Sequence, residues 1–113
     1  MSQPPHDPQI EKTPQEVADE LAAGGVQLVD VREPQEWDAG RIAQARHVPL
    51  DRLSAEAASI DRERPVVFQC HSGARSLMAA QAFQQAGYDA WSMAGGIAAW
   101  EQQGLPVDGD VAH

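Results

Sequence analysis

The chain has 113 residues, enough for one domain with a single hydrophobic core, and its charged and apolar fractions are those of a globular protein. Its formal net charge of -9 argues against nucleic acid and anionic membranes as partners. No apolar run approaches the roughly 18 residues of a membrane span, and "MSQPPHDPQ" lacks the segments of a signal peptide. One cysteine cannot form an internal disulfide, and no pattern indicates an obligate interface, so we expect a cytoplasmic monomer.

The N-terminal part of the chain predicts a capped helix. Residues 1–9 are polar and rich in proline, and are expected to form a flexible tail. In "TPQE", Thr13 can cap a helix, Pro14 suits the first helical position, and Glu16 completes a capping box. The segment "VADELAA" continues the helix, and the glycine pair 24–25 ends it.

Beyond this helix, predicted strands and helices alternate. Strands are predicted over 26–31, 45–50, 65–70 and 88–93, and helices over 51–60, 73–87 and 95–104. The remaining segments are 32–42, expected to be a loop with one helical turn, and 105–113, expected to be irregular. This alternation predicts an α/β fold with an open parallel sheet of about five short strands, flanked by helices on both faces. One domain is expected over 10–107, followed by a C-terminal tail over 108–113.

The only cysteine lies where parallel α/β sheets carry their sites. In "VVFQCHSGARS", Cys70 ends an apolar strand, and the next predicted helix begins within a few residues. The free N–H groups and partial positive charge of a helix N-terminus stabilise a thiolate or a bound oxyanion. Gly73 allows a tight turn, Arg75 supplies a cation with a fork of donors, and Ser72 and Ser76 add hydroxyl groups. The stretch therefore predicts a nucleophilic thiolate in an anion-binding loop, which supplies the local positive field that an acidic protein otherwise lacks.

Each of these residues also has a purely structural interpretation. A lone cysteine is most often an inert buried residue, and Arg75 by itself would more often form a surface ion pair. His71 adjoins the thiol and could tune it, although a loop histidine is more often simply exposed to solvent. The order of strand, cysteine, turn, arginine and helix favours the catalytic interpretation of Cys70.

Three segments together resemble a known family. "LVDVREPQEWDAGRIAQARHVPL" is similar to the Asp-Val-Arg, Glu, Gly-His-Ile, Gly-Ala, Ile-Pro segment of single-domain rhodaneses, which are thiosulfate sulfurtransferases. "CHSGARS" resembles the active-site loop of that family, and "MAGGIAAW" resembles its carboxy-terminal Gly-Gly…Trp segment. The resemblance covers about residues 13 to 105. It departs from the family at Arg41, Gln44, Arg46 and His47, which we expect at the rim or in the supporting layer of the site.

The resemblance implies a two-step covalent mechanism that needs no metal and no organic cofactor. The Cys70 thiolate attacks the outer sulfur of thiosulfate, a small anion, and sulfite leaves. The resulting Cys70 persulfide passes its outer sulfur to cyanide, a thiol or a protein thiol, while the loop N–H groups stabilise the charged sulfur. The substrate-binding residues that the resemblance implies are His71, Ser72, Gly73, Ala74, Arg75 and Ser76.

The resemblance also implies a supporting layer. Asp30 and Arg32 help to hold the active-site side of the sheet, although an ordinary partly buried ion pair is the structural alternative. Glu36 is expected to bond back to the same cluster in a structural role. Gly95 and Gly96 are expected to permit a turn and close packing near the active loop, while the tryptophans of the chain, including Trp100 on the last helix, serve packing.

Other functions use similar residues. Cysteine-dependent phosphatases and arsenate reductases resemble Cys-x5-Arg, whereas Cys70 to Arg75 is one residue shorter and suits a sulfur atom better than a tetrahedral phosphate. Binding or regulatory modules of the rhodanese type often lack the cysteine that is present here. A persulfide carrier that is loaded by a partner protein uses the same residues as the enzyme, so this alternative stays open.

Overall fold

A computed structural model describes residues 6–111, and its central element is a parallel sheet of five strands. The elements in chain order are β1 (Glu11–Lys12), α1 (Pro14–Ala22), β2 (Gln27–Asp30), α2 (Pro34–Ala39), β3 (Gly40–Arg41), β4 (Arg46–His47), α3 (Leu53–Glu56), β5 (Val66–Gln69), α4 (Ala74–Gln85), β6 (Ala90–Met93), α5 (Gly96–Gln102) and β7 (Asp108–Gly109). The strand order is β1-β6-β5-β2-β4, and every neighbouring pair is parallel. The predicted α/β fold is confirmed, and β5, whose last residue precedes Cys70, is the central strand.

Helices cover both faces of the sheet because the apolar side chains of its strands alternate between two buried clusters. On one face, Phe68 of β5 packs in a cluster with Phe83 of α4 and Leu53 of α3. On the other face, Val67 packs in a cluster with residues of α1 and α5, including Trp100. Cys70 belongs to the α4 face, so its sulfur lies beneath the first turn of that helix.

The first helix is capped as the sequence predicts. Glu16 N–H donates to Thr13 Oγ1 at 3.2 Å, and Thr13 N–H donates to Glu16 Oε1 at 2.8 Å, which forms the capping box. The hydrogen bond from the Thr13 N–H lowers the pKa of Glu16. Of the flexible tail predicted over 1–9, residues 1–5 lie outside the described part of the chain.

Several predicted boundaries are wrong. The fifth strand, β1, was not identified because two charged residues carry no strand pattern, yet it pairs with β6 at the edge of the sheet. The strand predicted over 45–50 contains only the two residues of β4. The helix predicted over 51–60 is one α-helical turn, α3, between two 3₁₀ turns. The Ser59 hydroxyl donates to the Glu56 carbonyl at 2.6 Å, and this side-chain bond competes with continued helix.

The segment 105–113 is also not wholly irregular. Within it, β7 pairs antiparallel with β3, and Asp110 N–H donates to Ala39 O at 2.7 Å. Val111 is 2% exposed and packs in the α1–α5 cluster, so the core continues beyond residue 107. Glycine and aspartate residues in a two-residue strand give no local signal for this long-range pairing.

Candidate active site

The sulfur of Cys70 lies at the carboxyl edge of the central strand, almost fully enclosed. Cys70 is 1% exposed and packs in the cluster on the α4 face of the sheet. Gly73 N–H donates to Cys70 Sγ at 3.1 Å and Ser76 N–H donates to it at 3.4 Å. The Ser76 hydroxyl oxygen lies 3.5 Å from the same sulfur. Two backbone N–H donors of one short loop and helix turn therefore converge on a single atom, while the Ser76 hydroxyl accepts from the thiol, and N–H groups placed in this way can stabilise a negatively charged sulfur.

The turn after Cys70 requires glycine. Gly73 has a φ of 109°, which side chains with a Cβ rarely adopt, and it precedes α4 as its N-cap residue. This conformation directs Gly73 N–H to the sulfur and starts a helix of 12 residues. The positive end of that helix therefore adds to the hydrogen bonds at the sulfur.

A second glycine allows another helix to hold the loop from the side. Gly96 begins α5 with a φ of 62°, and a Cβ at this position would overlap the carbonyl oxygens of Cys70 and His71. Ile97 N–H donates to Cys70 O at 2.8 Å, and Ala98 N–H donates to His71 O at 3.1 Å. The close packing predicted at this glycine is confirmed, and its result is that α5 fixes the backbone on which the thiol stands.

Arg75 is held in a bidentate ion pair. Its Nη1 and Nη2 atoms donate to Glu36 Oε1 and Oε2 at 2.8 and 3.0 Å, and the side chains are 34% and 28% exposed. The hydrogen bonds from Arg75 lower the pKa of Glu36 to about 2, and burial opposes this shift. The hydrogen bond to Glu36 raises the pKa of Arg75, and the nearby Cys70 adds a smaller contribution in the same direction. The guanidinium therefore lies within electrostatic reach of the sulfur, with much of its charge balanced by Glu36.

Asp30 and Arg32 form a second, buried ion pair at the same edge of the sheet. Arg32 Nη2 donates to Asp30 Oδ2 at 2.8 Å, and the two side chains are 2% and 0% exposed. Arg32 also donates to the carbonyls of Glu36 at 3.3 Å and Gly40 at 2.7 Å. The pair thus fastens α2, which carries Glu36, to the end of β2, and the structural interpretation of both residues fits these contacts.

The remaining loop residues lie around the opening of the site. Ser72 and Ala74 are exposed, and His71 is half-buried. Among the described residues, the side-chain hydroxyl that the structure brings to the sulfur is that of Ser76 rather than Ser72. Sequence reasoning also missed Ser92, whose hydroxyl lies 2.8 Å from Ser76 Oγ. A polar residue inside an otherwise buried strand was the signal available for it.

The departures from the family pattern lie outside the sulfur-binding loop. Arg41 Nε donates to Trp37 O at 2.9 Å, and its guanidinium lies over the Trp37 ring. The His47 ring also stacks on the Trp37 ring, with 4.8 Å between the two ring centroids. Gln44 and Arg46 are exposed. All four side chains therefore lie on the neighbouring surface, and Arg41 and His47 contact α2 through Trp37.

No group of three or more His, Cys, Asp or Glu residues suited to a metal ion occurs within residues 6–111. In the same part of the chain, no helix has the length and apolar character needed to cross a membrane.

Fold and site define a parallel α/β domain with a cysteine at the N-terminus of a helix, and comparisons with known proteins show its family. The model of the Rhodanese-like domain matches residues 13–103, so the chain belongs to the rhodanese-like family. It is 40% identical over 83 residues to a protein of Allochromatium vinosum named "Sulfurtransferase", covering 73% of this chain and 78% of that protein. The chain is therefore a homologue of sulfurtransferases.

Two further relatives show how the domain occurs elsewhere. The chain is 38% identical over 98 residues to the "Probable adenylyltransferase/sulfurtransferase MoeZ" of Mycobacterium tuberculosis; the match covers 83% of this chain but only 25% of that protein. The crystal structure of a rhodanese-related protein from Thermoplasma volcanium matches with a TM-score of 0.82 at 26% identity, covering 89% of this chain and 99% of that chain. The fold is thus found both as most of a chain and as a quarter of a longer one.

Proposed function

We propose that the protein transfers a sulfane sulfur from thiosulfate or a persulfide donor to a thiophilic acceptor through a persulfide on Cys70. The observation that carries this proposal is the convergence of Gly73 N–H and Ser76 N–H on Cys70 Sγ. Donors placed in this way stabilise a thiolate before the reaction and a charged sulfur after it. The family relationship to sulfurtransferases supports the same class of reaction.

The first half-reaction needs only the chain and its donor. The Cys70 thiolate attacks the outer sulfur of thiosulfate, an S–S bond forms to the protein, and the S–S bond of thiosulfate breaks. Sulfite leaves with the electron pair of the broken bond, and Cys70 carries a persulfide. With a persulfide donor, the leaving group is the thiolate of that donor.

The second half-reaction restores the cysteine. The acceptor, which is cyanide, a thiol or a protein thiol, attacks the outer sulfur of the persulfide. The Cys70 thiolate leaves with the electron pair and returns to the same hydrogen bonds from the loop. Because donor and acceptor react in turn with one sulfur, we expect ping-pong kinetics.

The charges around the sulfur favour a second candidate function, that of a persulfide carrier loaded by a partner protein. Arg75 is the cation nearest to the site in the loop, and Glu36 occupies two of its donors. A thiosulfate dianion must therefore bind mainly to backbone N–H groups or compete with Glu36 for the guanidinium. A persulfide on a partner protein carries less charge and places less demand on Arg75, so a carrier loaded by a partner fits the same geometry.

A phosphatase or arsenate reductase fits less well. Bidentate binding of a tetrahedral oxyanion needs the guanidinium fork that Arg75 already gives to Glu36. The interval from Cys70 to Arg75 is also one residue shorter than the Cys-x5-Arg pattern of those enzymes. The cytoplasmic location and the monomeric state stay predictions.

The experiment that tests the proposal is the intact mass of the purified protein after incubation with thiosulfate, compared with Cys70→Ser. We expect the wild type alone to gain one sulfur atom and to lose it on addition of cyanide. A parallel sample receives a low-molecular-weight persulfide as donor. A gain of mass with the persulfide but not with thiosulfate would support the carrier function. The absence of a gain with either donor would reject the mechanism, and hydrolysis of an aryl phosphate would be measured next.

A further inference from the structure

A buried serine lies behind the sulfur-binding loop, on an element far from it in sequence. Ser92 belongs to β6 and is 0% exposed, and its N–H donates to Ile10 O at 2.8 Å. Its partner in β5 is Phe68, two residues before Cys70. Because side chains alternate along a strand, Ser92, Phe68 and Cys70 lie on the same face of the sheet, beneath α4.

The hydroxyl groups of Ser92 and Ser76 connect β6 to the sulfur. Ser92 Oγ lies 2.8 Å from Ser76 Oγ, which lies 3.5 Å from Cys70 Sγ and 3.2 Å from Gly73 O. Either hydroxyl could donate in the contact between Ser92 and Ser76, but Ser76 directs its proton to the Gly73 carbonyl, so we assign the donor role to Ser92. Each hydroxyl has one proton and two lone pairs. Once Ser76 accepts from Ser92, its own proton is available for the Gly73 carbonyl or the sulfur.

The protonation state of the sulfur decides between these two directions. A Cys70 thiol donates its S–H to Ser76 Oγ, in agreement with the observed geometry. A thiolate, or the sulfur of a persulfide anion, has no proton to donate and accepts instead. The Ser76 proton then turns from the Gly73 carbonyl to the sulfur, while Ser92 continues to donate from behind.

We propose that Ser92 is a positioning residue: its hydroxyl donates to Ser76 Oγ and thereby directs the Ser76 proton to the Cys70 sulfur whenever that sulfur is negatively charged. The role of this chain of hydrogen bonds in catalysis rests on the proposed function. Hydrogen bonds in such a chain polarise one another in buried surroundings, so the outer donor strengthens the inner one. Ser92 thus extends the stabilisation of the sulfur from the loop to the neighbouring strand without touching the substrate.

The charged side chains near the sulfur lie on elements other than β6, which carries Ser92. The charged groups that face the site are Arg75 of α4 and its partner Glu36 of α2, and His71 adjoins the thiol in the loop. The Ser92 hydroxyl bonds to Ser76, whereas Arg75 and Glu36 bond to each other. An effect of a Ser92 substitution on the reactivity of Cys70 therefore reports on the hydroxyl chain.

The test is the rate of Cys70 alkylation by iodoacetamide as a function of pH, in the full chain. Since Cys70 is the only cysteine, the reaction follows one group. The variants are Ser92→Ala, which removes the hydroxyl, and Ser92→Thr, which keeps it. Tyr88→Phe is the matched control: it removes a hydroxyl that donates to Ala57 O at 3.0 Å in the same buried cluster, away from the sulfur.

We expect Ser92→Ala to move the midpoint of the alkylation profile upward by about 0.5 pH unit and to lower kcat/KM for sulfur transfer about threefold. Ser92→Thr should restore the wild-type midpoint, and Tyr88→Phe should leave it unchanged. An unchanged midpoint in Ser92→Ala, or equal shifts in the Ala and Thr variants or in Tyr88→Phe, would overturn the proposal. Because alkylation needs no sulfur donor, these outcomes are separate from a failure of sulfur transfer in the wild type.

Discussion

Two helices begin side by side at the carboxyl edge of the sheet, each after a glycine in the left-handed region. Gly73 precedes α4 with a φ of 109°, and Gly95 precedes α5 with a φ of 74°. At α4, the N–H groups of Gly73 and Ser76 point to the Cys70 sulfur. At α5, the N–H group of Ile97 donates to the Cys70 carbonyl instead. The same cysteine is therefore bound by one helix through its side chain and by the other through its backbone.

The two helix ends differ in the atoms that they bind, and this difference decides which end can take part in a reaction. Peptide carbonyls fill the end of α5, and they have one chemical state. A sulfur atom fills the end of α4, and it can lose a proton or gain another sulfur. The positive end of α4 therefore stabilises some states of Cys70 more than others, whereas the end of α5 only holds the loop.

Replacing the sulfur should have the largest effect at the α4 end. We expect Cys70→Ser to abolish sulfur transfer, because a serine hydroxyl forms no persulfide. The smaller hydroxyl leaves the loop and its supporting bonds in place, so the free energy of unfolding should change by no more than about 1 kcal/mol. Transfer rates and urea denaturation check the two parts. Retained transfer in this variant would reject the mechanism.

Disturbing the α5 end should chiefly affect stability. In Gly96→Ala, the added Cβ overlaps the carbonyl oxygens of Cys70 and His71 at a φ of 62°. Strain and displacement of the loop should together lower the free energy of unfolding by about 3 kcal/mol or more. Sulfur transfer should fall as well, because the thiol stands on the displaced backbone.

Gly104→Ala separates the effect of crowding from that of backbone strain. Gly104 has a φ of 78°, and a Cβ there meets nothing within 4 Å. We expect this control to cost about 1–2 kcal/mol, the penalty of the left-handed conformation alone. Equal losses in the two variants, measured by urea denaturation, would mean that contact between α5 and the loop contributes little.

The fold was predictable because long strands and helices carry local patterns. The apolar run of β5 and the turn glycine before α4 were sufficient to place Cys70 at the carboxyl edge of a parallel sheet. Two-residue strands were not predictable, since β1 and β7 depend on partners far along the chain. The same reason applies in the site, where the Arg75–Glu36 pair spans 39 residues and the Ser92–Ser76 pair spans 16.

A smaller effect is expected from Arg75, which belongs to the α4 end but is shared with Glu36. Arg75→Ala should lower kcat/KM for thiosulfate about tenfold, because the dianion loses a nearby cation. Turnover with a persulfide donor should fall less. In Glu36→Gln the guanidinium is released, so we expect KM for thiosulfate to decrease, while the amide oxygen can still accept the Glu33 N–H that caps α2.

Arg52→Ala is the control for loss of a surface arginine, because its side chain is 65% exposed and pairs with Glu56 on α3. In this variant, turnover with thiosulfate and turnover with the persulfide donor should both stay unchanged. A large loss of stability in Arg75→Ala without a kinetic effect would show that the residue serves only as an ion-pair partner.

The smallest effect is the pH dependence of the Arg75–Glu36 pair. Folding lowers the pKa of Glu36 from 4.5 to about 2, so the stabilisation from this group is fully present above pH 4.5 and is lost as the pH falls towards 2. The difference in urea midpoint between wild type and Glu36→Gln should therefore be largest near neutral pH and shrink between pH 4.5 and 2. Added salt should reduce it at neutral pH, because the pair is partly exposed. A difference that stays constant through this range would mean that Glu36 acts through packing or capping of α2, and the charge balance around the sulfur would then depend on Arg75 alone.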